Sequence, residues 1–181
     1  MVIASSLSVK DLLTFGKTSP QNRIIAKKTL VNRLNAGTIT PSNININKVT
    51  SLIDFFGENC SQITKLDLKK FHQITDADIK KLSKKFTKLN HLLLDESIMT
   101  DISIILLSKT LLKSLHLSGC TQINDFSFLE GCKKLTSLDL SWCSQIDDIS
   151  FLQHCKNLTT LHLPWCTQIN DFSFLQHCKE L

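Results

Sequence analysis

His116, Asp139 and His162 stand at matching places in successive segments, 23 residues apart. Histidine and carboxylate are the side chains of acid–base work and of metal binding. If the segments lie side by side, the carboxylate stands between two imidazoles and should favour their protonated forms. Ser118 and Ser141 follow two residues behind His116 and Asp139. No oxyanion-hole or triad signature accompanies them. Two histidines and one aspartate in a flat row also lack a third ligand or a nucleophile. The row therefore reads as a polar recognition surface, with no catalytic residue, metal or cofactor expected. Trp142 and Trp165, the only two tryptophans, share one column three residues further on. An open tryptophan is a costly residue to display and is enriched at interface hot spots. The other reading is that the two rings fold over the strand edge and pack on each other.

The seven cysteines follow the same spacing. Cys120, Cys143 and Cys166 occupy one column, and Cys60, Cys132, Cys155 and Cys178 another. Phe71 and Phe86 stand in for cysteine in those columns. An aromatic replaces cysteine where cysteine acts as a small hydrophobe. No CxxC or Cys/His set with zinc spacing occurs. The expectation is a reduced, buried set, which fits a reducing, cytoplasmic compartment.

The elements that carry these columns are repeats. LKSLHLSGCTQINDFSFLEGCKK begins at Leu112, LTSLDLSWCSQIDDISFLQHCKN at Leu135 and LTTLHLPWCTQINDFSFLQHCKE at Leu158. Each copy reads LxxLxLxxC, then Ile, a polar pair, an apolar pair and a second Cys. This resembles the leucine-rich repeat, a short strand followed by a turn and a short outer segment. Divergent copies open at Ile63 (ITKLDL) and Leu89 (LNHLLL). The implied fold class is α/β: a leucine-rich-repeat solenoid over residues 63–181, with repeats starting at 63, 89, 112, 135 and 158. Parallel strands line the concave face, and short helices or turns line the convex face. The first copy is 26 residues long, and its Ile79, Leu82 and Phe86 fall at helical spacing with lysines between them. It should carry a true outer helix, and the 23-residue copies only a short helical turn. The polar pairs, such as Thr75-Asp76, Asn124-Asp125 and Asn170-Asp171, are of the types that cap helix N-termini. Alternation turns the odd positions of LxxLxL toward the concave side or its rim. His91, Leu93 and Asp95 thereby join His116, Asp139, His162, Trp142 and Trp165 as candidate contacts with a protein partner.

Charge is split unevenly. Residues 1–88 hold 15 Lys and Arg against 6 Asp and Glu, and residues 89–181 hold 6 against 10. A basic N-terminal half could meet an acidic or anionic partner. No aromatics interleave the lysines as a stacking platform for bases would require, so nucleic acid is not favoured. No apolar run is long enough to span a membrane.

Residues 1–36 do not follow the repeat. Ser8 can cap a helix from Val9, Pro20 suits a first helical turn, and Gly37 suits a stop. Ile24, Ile25, Leu30, Val31 and Leu34 should form an apolar stripe. Residues 37–62 read as a connector and a degenerate leading repeat, with an outer helix over Val49–Phe56. The segment LSVKDLLTFGKTSPQNRIIAKKTLVNRL is similar to the second half of an F-box, through Leu7, Asp11, Leu12, Leu13, Ser19, Arg23 and the Leu30–Leu34 helix. The repeats look like the cysteine-containing subtype that accompanies F-boxes, and QITDADIKKL at 73–82 fits it closely. The resemblance implies a Skp-type adaptor contacted by Leu7, Leu12 and Leu13, and a substrate receptor of a cullin-RING ubiquitin ligase. The first F-box helix, of LPxE type, is absent from MVIASSLSVKDLL, so weak adaptor binding is expected. The chain also looks like the host-directed effectors of intracellular bacterial pathogens, which act in the host cytoplasm. The alternative is a helical cap on a structural or scaffold solenoid. The last strand presents an edge through which self-association is expected.

Overall fold

Alternation within LxxLxL makes each central triplet a strand with one leucine turned inward and two side chains turned out. A computed structural model describes residues 2–71, 74–96, 100 and 111–181. It places strands β1 (Lys65–Asp67), β2 (His91–Leu93), β3 (Ser114–His116), β4 (Ser137–Asp139) and β5 (Thr160–His162) in one parallel sheet, ordered as in the sequence. Each strand begins two residues after a repeat start, and the register joins equivalent residues: Leu66, Leu92, Leu115, Leu138 and Leu161 form one row. The first four of these leucines are fully buried, as are Leu68, Leu94, Leu117 and Leu140 directly behind them.

The outer segments differ as repeat length requires. The 26-residue copy has room for a helix over Asp76–Lys85. Thr75 and Asp78 close a reciprocal capping box at its start. The shorter copies make 3-10 turns at Ser127–Gly131, Ser150–His154 and Ser173–His177. Asp125, Asp148 and Asp171 accept the backbone N–H two residues on. The aspartate of each polar pair thus shapes the turn locally, where a helix cap was expected. Thr100 donates to Asp76 of the preceding repeat; Asp101 lies outside the described residues.

The cysteines carry more than volume. All seven are buried, and no disulfide joins them. The Cys120, Cys143 and Cys166 thiols point at the carbonyls of Leu94, Leu117 and Leu140 one repeat earlier, at 3.0, 3.2 and 3.1 Å. A weak donor thus meets a backbone carbonyl of the neighbouring repeat, and those of Leu117 and Leu140 also accept the N–H of Cys120 and Cys143. Burial pushes the Cys132 and Cys143 thiols up to about 11 and Cys155 up to about 12.

The N-terminal helices are α1 (Val2–Ser6), α2 (Val9–Phe15), α3 (Pro20–Asn35) and α4 (Val49–Phe56), and the outer helix of the first repeat is α5. Ser8 and Ser19 cap α2 and α3, and Pro20 opens α3. Gly37, at φ +70, lets the chain leave α3 while its N–H and that of Thr38 bond Leu34 and Arg33 carbonyls. The inward face of α3 is Ala26, Leu30, Val31 and Leu34, whereas Ile24 is exposed. The expected stripe holds at Leu30, Val31 and Leu34 and partly at Ile25, but small Ala26, not Ile24, sits where α3 meets Gly16. Asn35 fastens this cap to the solenoid. Its amide donates to Gln62 O at 2.9 Å and accepts from Thr64 N at 2.7 Å. The side chain therefore pairs backbone groups at the entry to β1, the first strand of the sheet.

Candidate partner-binding site

The strand register sets the outward residues in rows. Leu93, His116, Asp139 and His162 are consecutive partners across β2 to β5, and His91 opens a second row with Ser114, Ser137 and Thr160. His116 Nδ1 lies 3.6 Å from Asp139 Oδ2, beyond hydrogen-bond length. That nitrogen is buried and has no hydrogen-bond partner. Burial holds the His116 imidazole below its ordinary pKa despite the attraction of Asp139, and Lys69 adds to the depression. His91 is lowered as well, by burial and by Lys65 and Lys113. Asp139 thus favours a protonated imidazole at its side as expected, but burial outweighs it at His116. The carboxylate is already occupied: the Ser141 hydroxyl and N–H both donate to Asp139 Oδ1. Burial pushes the Asp139 carboxyl up, but these bonds, with the neighbouring histidines, keep it below the usual range. Ser141 is itself buried and serves as a positioning residue for Asp139.

Next to this row, Lys69 and Asp95 form an ion pair of 2.9 Å between the first two repeats. Asp95 keeps its other oxygen, Oδ1, buried without a hydrogen-bond partner. Among the described residues, no three His, Cys, Asp or Glu side chains converge as a metal site would need.

The tryptophans form the most distinctive part of the surface. Trp142 and Trp165 stack with centroids 5.0 Å apart and planes 19° from parallel, yet each is more than half exposed, at 56% and 61%. The rings thus pack on each other and stay open to solvent. Their backbones lie in the left-handed region, at φ 64 and 67. Glu96 (φ 54) and Gly119 (φ 69) adopt the same conformation in the preceding repeats. The fold demands it: Glu96, Gly119 and Trp142 each donate their N–H to the carbonyl at the seventh position of the next repeat, Ser118, Ser141 and Pro164. Glu96 and Gly119 hold the same eighth position of their repeats as the two tryptophans. The signal was there in the glycine, the residue such a turn prefers. A bulky aromatic at positive φ is strained by about 1–2 kcal/mol, and such strain clusters at functional sites.

Of the residues proposed to reach an adaptor, Leu12 is fully buried in the cap, and Leu7 and Leu13 are packed partly against the core. Leu12 offers no surface to a partner because it holds α2 onto the rest of the cap.

A family model of leucine-rich repeats matches residues 110–154 and 133–177. No curated protein sequence matches the chain significantly. Among solved structures, internalin C2 from Listeria monocytogenes is similar at 31% identity over 75% of this chain and 54% of its own, with TM-score 0.54. An internalin (inlF) from the same organism is similar at 26% identity over 70% of this chain and 35% of its own, with TM-score 0.56. The chain thus spans about half and about a third of those two proteins. The strand register, the outer turns and these matches agree on the fold: the chain is built as a leucine-rich-repeat solenoid.

Proposed function

We propose that the chain is a non-catalytic protein-recognition module that binds through its concave face and the rim carrying Trp142 and Trp165. Leucine-rich repeats supply protein-interaction surfaces, and the observation that supports this location is the strained, exposed tryptophan pair. Each ring could be replaced by glycine at a gain in backbone fit, so its retention calls for another use. His91, Asp95, His116, Asp139 and His162 supply polar surroundings, and Leu93 an apolar contact. The test is to select binding peptides from a random display library and measure them against Trp142→Gly and His116→Ala. Loss of affinity in both variants is expected. Selected peptides indifferent to both would place recognition elsewhere.

A second reading concerns the N-terminal half. A recess of about 550 Å3 opens between α2, α3 and α4, lined by Leu13, Lys17, Arg23, Lys27, Leu30 and Phe55 among others, with no carboxylate in its wall. It supports binding of an acidic or anionic partner. The F-box resemblance makes the same segment a contact for a Skp-type adaptor of a ubiquitin ligase, as a host-directed bacterial effector acting in the host cytoplasm would use it. Burial of Leu12 argues for weak binding, which calorimetry with the adaptor measures; submicromolar affinity would refute that expectation. At the other end, Phe172, Leu175 and Leu181 are exposed apolar residues beyond β5. They support self-association there, read by light scattering as mass rising with concentration. A constant monomer mass would count against it.

A further inference from the structure

Between Trp142 and Glu96 the rim carries only Gly119, and the side chains on its two flanks differ in chemistry. The eighth-position column runs Glu96, Gly119, Trp142, Trp165 through consecutive repeats. The two rings stack face to face at 5.0 Å, close to the spacing of neighbouring strands, about 4.8 Å. Their planes therefore lie across the solenoid axis. One face of Trp142 is covered by Trp165, and the other looks toward the place in the column held by Gly119, which has no side chain. Two strand spacings, about 9.6 Å, separate the Trp142 and Glu96 positions. A flat group needs about 3.5–4.0 Å to each neighbour, so one planar layer fits when the Glu96 side chain stands clear of Gly119. Glu96 leans over the gap: a Cβ at residue 119 would stand 3.2 Å from its Cγ. Glu96 is exposed, and no ion pair to it occurs among the described residues.

On the side of the first repeat the column is bounded by Lys69, which pairs with Asp95, and Lys70; on the side of the tryptophans the charge is acidic. At the third, fifth, seventh and eighth positions of the repeats opening at 89, 112, 135 and 158 there is no lysine or arginine, while Asp95, Glu96 and Asp139 are present. Asp95 Oδ1, one residue before Glu96, remains buried without a hydrogen-bond partner. An aromatic face, a carboxylate opposite and spare acceptors describe a receptor for a cation that is planar and rich in N–H donors. Guanidinium has that shape and five donors, whereas ammonium is compact and strongly hydrated. Cations bind tryptophan faces most strongly among the aromatics.

We infer that the Glu96–Gly119–Trp142 slot binds an arginine side chain of a partner polypeptide, stacked on Trp142 and paired with Glu96. This rests on the concave-face reading and deepens it by naming the partner's chemistry. Lysine, citrulline and an unrelated apolar anchor become the alternatives to be tested.

The two tryptophans are the only ones in the chain, so intrinsic emission reports this site without a label. The full chain would be titrated at near-physiological salt with hexa-arginine, hexa-lysine and hexa-citrulline peptides. Citrulline keeps the planar shape without the charge, and lysine keeps the charge without the plane. A saturable emission change is expected with hexa-arginine, weaker binding by several-fold with hexa-lysine, and none with hexa-citrulline. Glu96→Gln, isosteric and neutral, should weaken hexa-arginine roughly fivefold. Trp142→Gly should weaken it roughly tenfold, with Trp165 as the remaining reporter. Equal affinity for lysine and arginine, equal affinity for citrulline, or an unchanged Glu96→Gln variant overturns the proposal. If hexa-arginine gives no response while a library-selected peptide still shifts the emission, the slot is wrong and the concave-face reading stands. If neither shifts it, both fall.

Discussion

Replacing both tryptophans by glycine should remove binding without unfolding the rim, and replacing both by alanine should do worse to stability. The reasoning begins with φ 64 and 67 at Trp142 and Trp165. An L-residue held there costs about 1–2 kcal/mol. The stacked pair returns about 0.5–1.5 kcal/mol beyond the area it buries. Glycine removes the backbone strain at both sites, forfeits the stack once, and adds unfolded-chain entropy of about 0.4–1 kcal/mol per site. The net change is therefore near zero, with a tilt toward stabilisation. Alanine forfeits the same stack and keeps the strain, so that double variant should lose about 0.5–1.5 kcal/mol. The glycine variant should thus be the more stable of the two by about 1–2 kcal/mol, a difference of roughly 2–8 °C in Tm at about 2–4 °C per kcal/mol for a chain of this size. Gly119 is the internal control, since the same column already uses glycine at φ 69. Urea melts followed by far-ultraviolet circular dichroism decide the order, because both variants lack tryptophan emission. Affinity for a selected peptide should drop by more than about 2 kcal/mol in both. An alanine variant that outlasts the glycine variant would refute the strain argument. Glycine-variant affinity equal to that of the parent would refute the binding argument.

Three further outcomes follow from other parts of the molecule. The seven thiols should react slowly with a disulfide reagent at pH 8 in native protein and fast in urea, because burial raises Cys132 and Cys143 to about 11 and Cys155 to about 12; rapid native labelling of most of them would contradict the buried ladder. His91 and His116 have folded pKa values below the unfolded value of about 6.5, so the unfolded chain takes up protons first as pH falls. Their contribution to stability is complete above the unfolded value and is lost as the pH drops below it and through the folded values. The melting temperature should therefore fall from pH 7 to pH 5, with a shallower slope in His116→Asn, and imidazole NMR titration should place the His116 midpoint below 6.5; a midpoint above it would reverse the sign. Asn35→Leu strips both bonds that tie α3 to the entry of β1, and should cost about 1–3 kcal/mol in the urea melt; an unchanged midpoint would show that the cap is held by apolar packing alone.

The sequence by itself determined the repeat and nearly everything that follows from it. A leucine at alternate positions leaves no choice of inward face, and a constant period forces equivalent residues into register. The row Leu93–His116–Asp139–His162 and the column Trp142–Trp165 could be read before any coordinate was known. The same holds for the helix in the longer first copy and the tight turns in the shorter ones. What the sequence could not decide depends on neighbours brought from another repeat or from the cap. The protonation of His116 is a contest between burial and a carboxylate, and the distance to Asp139 and the bonds from Ser141 settle it. Cysteine reads as a small hydrophobe until Leu94, Leu117 and Leu140 present their carbonyls to the thiols. Asn35 is an ordinary polar residue at a helix end until β1 arrives with unpaired backbone groups. The exposure of Ile24 in favour of Ala26, and the burial of Leu12, go with how closely α2 and α3 approach at Gly16 and Ala26. Above all, the left-handed turn at Trp142 aims its N–H at the Pro164 carbonyl of the next repeat, and Trp165 adopts the same turn without such a bond among the described residues. Periodicity reports which residues are equivalent. Only the stacking of one repeat on the next shows what their backbone must do, and so which side chains the chain keeps in spite of it.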